Sequence, residues 1–100
     1  MEEEEKEVNI TYKHQVKFYA NTPRGEVNKL FVYETDMLHF ERVLVTHIKS
    51  GFHIKAAWYQ ITRIARLKTI ESMKIKDLQK YFNIATDKKL YDQFIKENTL

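Results

Sequence analysis

Four histidines, His14, His39, His47 and His53, are the side chains of this sequence best suited to hold a metal ion or to transfer protons near neutral pH. Two metal-binding histidines on one helix typically lie four residues apart, on adjacent turns. His39 and His47 are eight residues apart, and His47 and His53 are six apart. This spacing favours core or partly buried histidines over ligands, so we expect no metal site.

No other set of residues forms a recognisable catalytic group. The sequence has no cysteine, which excludes a thiolate nucleophile, a disulfide framework and a cysteine-based zinc site. Its two glycines, Gly25 and Gly51, are too few for a phosphate-binding loop. Pairing of His39 with Glu41, or of His14 with a lysine, leaves a cofactor-free ribonuclease as a third interpretation. We expect that the protein is not an enzyme and needs no cofactor.

Basic side chains are the remaining candidates for a binding site. The 100 residues carry 17 Lys and Arg against 14 Asp and Glu, a net charge of +3. Residues 1–7 carry five Glu and one Lys, a net −4, so residues 8–100 carry +7. Ten basic and four acidic residues give segment 55–96 alone a net +6. Such a patch attracts a polyanion, because binding releases the counterions of the phosphates.

The charge pattern also indicates how the chain is organised. Four consecutive Glu repel one another, so we expect residues 1–7 to be a disordered acidic leader and residues 8–100 to form a single domain. The acidic start is unlike a signal peptide, and no apolar run is long enough to cross a bilayer. We therefore expect a cytoplasmic protein without membrane contact.

Two segments near the start of the chain favour a β-hairpin. Apolar and polar residues alternate from Val8 to Ala20, as in a strand that is buried on one face. Residues 21–26 contain Pro23 and Gly25 and predict a turn, and residues 27–33 form a second β-rich run. We predict a hairpin across residues 8–34.

The rest of the sequence favours about four helices. Thr35 or Asp36 can cap a helix that ends at Gly51, and its wide apolar face predicts contacts on two sides. A stripe that includes Ile54, Ala57 and Trp58 predicts a helix over about 54–70, although residues 52–59 also fit a strand. Residues 75–82 and 87–95 predict two short helices, with a break at 83–86 and Thr86 followed by Asp87 at the start of the second.

Residues 75–95 resemble the helix-turn-helix of DNA-binding domains. Ile75 and Leu78 come early, Asn83 stands where the turn often has Gly, and Leu90 and Phe94 anchor the second helix. The segment departs from the usual pattern because Gln79 replaces a small residue and Ile84 and Leu90 are six residues apart, where five is common. The resemblance implies that the second helix lies in a major groove.

The hairpin resembles the wing of winged-helix proteins, with a Pro-Arg-Gly tip that would lie in or beside a minor groove. Here the hairpin precedes the helices, the reverse of the common order. The two resemblances together imply an α+β fold, winged-helix-like with altered strand order, in which the hairpin packs on about four helices. The DNA-binding residues that they imply are Arg24, Lys17, Lys29, Lys74, Lys76, Lys80, Thr86, Lys88, Lys89 and Tyr91, and Gln93 is a further candidate.

Aromatic side chains offer a different way to bind nucleic acid, since unpaired bases stack on aromatic rings. The candidates are Tyr12, Phe18, Tyr19, Phe31, Tyr33, Trp58 and Tyr59. A simpler interpretation places most of them in the core or in cross-strand pairs of the hairpin.

The function predicted from the sequence is non-catalytic binding of double-stranded DNA. Small, cysteine-free, lysine-rich proteins of this kind are similar to regulatory and accessory factors of plasmids and phages, including proteins that mark a transfer origin and join a DNA-processing complex. We expect a homodimer, formed through helix 36–50 or an open hairpin edge. The main alternative is a protein-interaction module, an inhibitor or adaptor whose basic face binds an acidic partner.

Overall fold

The computed structural model describes residues 11–64 and 68–98, so the predicted acidic leader lies outside the described residues. Within these ranges the protein is α+β, with four strands and three helices. In chain order they are β1 (Tyr12–Asn21), β2 (Lys29–Glu34), α1 (Phe40–Lys49), β3 (His53–Arg63), β4 (Lys68–Lys74), α2 (Leu78–Thr86) and α3 (Lys88–Glu97).

The four strands form one antiparallel sheet in the order β2-β1-β3-β4. β1 is therefore a central strand, paired with β2 on one side and with β3 on the other. α1 joins β2 to β3, which lie on either side of β1. β2 and β4 form the two edges of the described sheet.

The predicted hairpin is confirmed by the pairing of β1 with β2, in which Val16 lies opposite Tyr33. In the turn, the Gly25 amide donates to the Thr22 carbonyl at 3.0 Å. Gly25 has a φ of 96°, a conformation that glycine adopts without steric cost. Local residues thus determine this part of the fold.

One face of the sheet forms the core with all three helices. Phe18 on β1, Leu44 on α1 and Tyr59 on β3 are among its largest fully buried side chains. The remaining buried apolar residues are Val16, Ala20, Val45, Ile48, Ile54, Ala57, Ile75, Tyr81, Ala85 and Phe94. α1 contacts both the sheet and α2, as its wide apolar face predicts, and α3 packs on α2.

The helix predicted over 54–70 is wrong, because residues 53–63 form β3 and residues 68–74 form β4. A β-bulge explains the misleading pattern. Ala20 lies opposite Ile54 and Tyr19 opposite Ala56, so Lys55 is an extra residue in β3. Ile54 and Ala57 therefore both face the core although they are three residues apart, which is a helical spacing.

The winged-helix-like arrangement is consequently also wrong. The described residues contain a four-stranded sheet with three helices on one face, where the sequence predicted a hairpin packed on about four helices. The hairpin is not a separate wing, since β1 pairs with β3 along its whole length.

The helix-turn-helix prediction places the break at the wrong residues. Residues 83–86 belong to α2, and Asp87 alone separates α2 from α3. The Thr86 hydroxyl donates to the Phe82 carbonyl at 2.8 Å, inside the last turn of α2. Asp87 is the N-cap of α3, because its Oδ1 accepts from the Leu90 amide at 3.1 Å. Ile75 lies before α2 and donates its amide to the Ala57 carbonyl.

α1 begins at Phe40, four residues after Asp36. The Asp36 carboxylate instead accepts from the amides of Leu38 and His39 and stabilises a turn that precedes the helix. The predicted end is confirmed: α1 stops at Lys49, and Gly51 follows with a φ of 101°.

Candidate functional site

The second face of the sheet has no helix packed on it in the described part of the chain. Directly opposite residues in the ladder share a face, so the register defines this surface. We call it the open face; it carries Lys13, Gln15, Lys17 and Tyr19 of β1, Leu30, Val32 and Glu34 of β2, Ala56, Trp58, Gln60 and Thr62 of β3, and Ser72 and Lys74 of β4.

One row of the open face places an aromatic ring between two cations. Trp58 lies opposite Lys17 on one neighbouring strand and opposite Lys74 on the other, and Val32 completes the row on β2. The Lys17 Nζ lies 5.6 Å from the centre of the Trp58 ring. Tyr19 meets Trp58 edge-on, with ring centres 5.9 Å apart. Trp58 is half-buried, so part of its surface remains accessible.

The charge of the open face is positive. Lys13, Lys17 and Lys74 are its cations, and Glu34 is its single acidic residue among those with described side chains. Lys13 Nζ lies 3.8 Å from the Glu34 carboxylate, and both groups are exposed, so this ion pair is weak. Lys17 and Lys74 form no ion pair within the described residues, and their charges are available to a ligand.

Amides occupy the neighbouring row. Gln15 lies opposite Gln60, and the Gln60 Nε2 donates to the Ser72 hydroxyl at 3.2 Å. Side-chain amides hydrogen-bond the edges of nucleic-acid bases as donors and acceptors. The open face therefore combines cations, an aromatic ring and amides on adjacent rows.

The structure brings together two of the residues predicted to bind DNA, Lys17 and Lys74, on either side of Trp58. Arg24 is exposed at the turn between β1 and β2, and Lys76 is exposed after β4. Lys29 is committed to an ion pair with Glu26 at 3.0 Å, and its hydrogen bond lowers the pKa of that carboxyl.

The predicted residues on the helices do not form one reading surface. Thr86 uses its hydroxyl within α2, and Lys80 lies 3.4 Å from the Glu41 carboxylate. Tyr91 is half-buried, and the Lys49 ammonium lies 4.6 Å from the centre of its ring. Lys88 and Lys89 are exposed at the start of α3 and form no ion pair within the described residues.

Trp58 and Tyr19 are the residues of the open face whose position the sequence did not reveal. Both were candidates for stacking, but the assumed helix over 54–70 placed Trp58 on its apolar side. After the bulge at Lys55, successive side chains of β3 alternate between the two faces of the sheet. This alternation places Trp58 on the open face and Tyr59 in the core, where 1% of the surface of Tyr59 is exposed. Phe18, by contrast, is a core residue as predicted.

Each histidine occupies a different local setting. His14 Nδ1 lies 2.6 Å from the Tyr59 hydroxyl, and His47 donates from Nδ1 to the Val43 carbonyl at 2.7 Å. His39 Nδ1 lies 2.7 Å from Asp36 Oδ1 and lowers the pKa of that carboxyl, while the His53 ring packs on Phe82. Across residues 11–64 and 68–98, no group of three or more His, Asp or Glu side chains is placed to hold a metal ion.

Comparison with known proteins adds no functional assignment. None of the helices in the described ranges is long and apolar enough to span a membrane. No protein-family model, curated protein or solved structure matches the chain.

Proposed function

We propose that this protein binds nucleic acid without catalysis, through the open face of its sheet. The observation that carries the proposal is the row in which Lys17 and Lys74 flank Trp58. Ammonium groups neutralise phosphates, and an aromatic ring between them offers a contact that a base can use and a simple polyanion cannot.

A second candidate is binding of duplex DNA by α3, as the sequence predicts. Lys88 and Lys89 support it, because both are exposed in the first turn of α3 and neither is in an ion pair within the described residues. Thr86 and Tyr91 contribute little to such a surface, since one bonds within α2 and the other packs on Lys49.

The experiment compares two double variants that remove the same charge. Binding of fluorescently labelled single-stranded DNA, single-stranded RNA and duplex DNA is followed by anisotropy over a range of salt concentrations, for the wild type, for K17A/K74A and for K88A/K89A. We expect K17A/K74A to weaken binding and to lower the slope of log K against log salt by about 1.5 to 2. K88A/K89A should stay close to the wild type.

Two outcomes would count against the proposal. A loss confined to K88A/K89A would favour α3 as the binding element, and an absence of binding by the wild type at low salt would exclude nucleic acid as the partner. An acidic protein partner, as in the interaction-module alternative, would then become the leading explanation of the basic surface.

We also propose that the protein is a homodimer. Of the two interfaces predicted from the sequence, helix 36–50 and an open hairpin edge, the hairpin edge is the better candidate. The apolar side chains Leu44, Val45 and Ile48 of α1 are buried in the core of their own chain, so they are not available to a second copy. β2 is an edge strand, and Leu30 and Val32 on it are about half exposed, at 45% and 47%. Sedimentation equilibrium of the wild type and of Val32→Lys tests pairing through this edge.

A further inference from the structure

We infer that the ligand of the open face is a single-stranded nucleic acid, with an unpaired base stacked on Trp58. This inference rests on the proposed function and specifies its ligand. The shared chemistry is an unpaired base next to phosphates, which single-stranded DNA and single-stranded RNA both present.

The breadth of the open face argues against a duplex. Neighbouring strands lie about 4.8 Å apart, so four strands span about 14 Å between the outer backbones, before side chains are counted. The major groove of B-DNA is about 12 Å wide and admits a helix or a two-stranded ribbon. A four-stranded face with side chains on every strand is too wide for it, and the rings of a duplex are already stacked on one another.

Trp58 stands where a base can reach it. It lies on β3, which is flanked by β1 and β4, so the ring is near the middle of the sheet and away from both edges. Tyr19 meets it edge-on and supports the ring from the side. Because the described helices pack on the other face, no described element blocks the approach of a flexible strand.

The surroundings of Trp58 match the other parts of a nucleotide. Lys17 and Lys74 lie on the two neighbouring strands, so each side of a base stacked on the ring has a cation for an adjacent phosphate. Gln60 lies two residues along β3 from Trp58 and on the same face, where its amide can meet a base edge. Such contacts tolerate many sequences, because every base has a ring face to stack.

The chain contains a single tryptophan, so tryptophan fluorescence, excited selectively over the tyrosines, reports on this site alone. We would titrate the protein with four probes: a 12-nucleotide oligo-dT, a 12-nucleotide oligo-rU, a mixed-sequence 12-base-pair DNA duplex, and inorganic polyphosphate as a polyanion without bases. Both single strands are expected to quench Trp58 and to bind more tightly than the duplex. A difference between oligo-dT and oligo-rU would show which of these two strands the face prefers.

Variants test the role of the ring itself. Trp58→Leu should weaken binding of the single strands by about tenfold, and Trp58→Phe, which keeps an aromatic face, should recover most of it, as measured by anisotropy of labelled oligonucleotides. Tyr12→Leu, which removes an exposed ring from the other face of β1, is the matched control and should bind as the wild type does. Circular dichroism spectra establish that each variant is folded.

The outcomes separate this inference from the proposed function. Equal binding of all four probes without quenching of Trp58 would overturn stacking and leave nucleic-acid binding by charge in place. Tighter binding of the duplex than of either single strand would also overturn it, in favour of α3. If no probe binds at low salt, the proposed function itself fails.

Discussion

The Tyr81 hydroxyl donates a hydrogen bond to the Glu41 carboxylate at 2.7 Å and so joins α2 to α1. Only 5% of the surface of Tyr81 is exposed, whereas the Glu41 side chain is 32% exposed. Burial, followed by the bond to a negative charge, raises the pKa of Tyr81 above its ordinary value of 10. The protonated hydroxyl is therefore part of the contact between the two helices.

Stability should fall when the pH rises above 10. A raised pKa means that the folded state holds its proton more tightly than the unfolded chain, so this contribution is complete below pH 10 and is lost as the pH rises through the folded pKa. Tyr81→Phe should reduce the loss by up to about 1.4 kcal/mol per pH unit above pH 10. Urea unfolding at several pH values between 7 and 11 measures it, with the exposed Tyr12→Phe as control.

Tyr59→Phe should destabilise the protein by about 1–3 kcal/mol, because it removes the hydroxyl that lies 2.6 Å from His14 Nδ1. The ring stays in the core, so the change isolates the hydrogen bond. A double-mutant cycle with His14→Phe, followed by urea unfolding at pH 7, measures the coupling. Additive effects of the two changes would contradict a direct interaction.

Gly51→Ala should cost more than Gly25→Ala. Both glycines have positive φ, 101° and 96°, which costs an alanine about 1–2 kcal/mol. A Cβ at Gly51 would lie 3.2 Å from Pro23 Cγ, whereas a Cβ at Gly25 would have no heavy atom within 4 Å. The difference between their thermal midpoints measures the extra contact, and equal shifts would mean that Pro23 moves aside freely.

Asp87→Ala should lower the free energy of unfolding by about 1 kcal/mol, since the Leu90 amide loses its capping oxygen. Asp92→Ala, an exposed position within α3, is the control for the loss of one negative charge. Urea unfolding compares the two. An equal effect of both variants would show that the charge matters and the cap does not.

The elements predicted correctly from the sequence are those that local residues determine. Pro23 and Gly25 specify the hairpin turn, and Gly51 ends α1. The prediction of a helix over 54–70 was wrong because the spacing of apolar residues indicates which side chains are buried, and a bulged strand can bury residues at a helical spacing. The bulge at Lys55 shifts the alternation by one residue, and only pairing with β1 reveals the shift.

The candidate site was predictable in its chemistry and not in its location. The sequence predicts lysines and aromatic rings as candidate nucleic-acid contacts, and Lys17 and Lys74 are among these candidates. These two residues are far apart in the sequence and meet on either side of Trp58 through two different strand pairings. The spacing of residues within one segment does not reveal such a row, because its members come from different strands. The same spacing does reveal two helices that follow each other in the sequence.

The central position of β1 has a consequence for the order in which the chain is made. β1 can pair with β2 as soon as the hairpin is complete. Its other edge stays unpaired until β3 is made, since Trp58, the partner of Lys17, comes about 40 residues later. At a synthesis rate of about 5–20 residues per second this delay lasts about 2–8 s. During that time the strand that later organises the whole sheet is itself an open edge, available to any other extended chain.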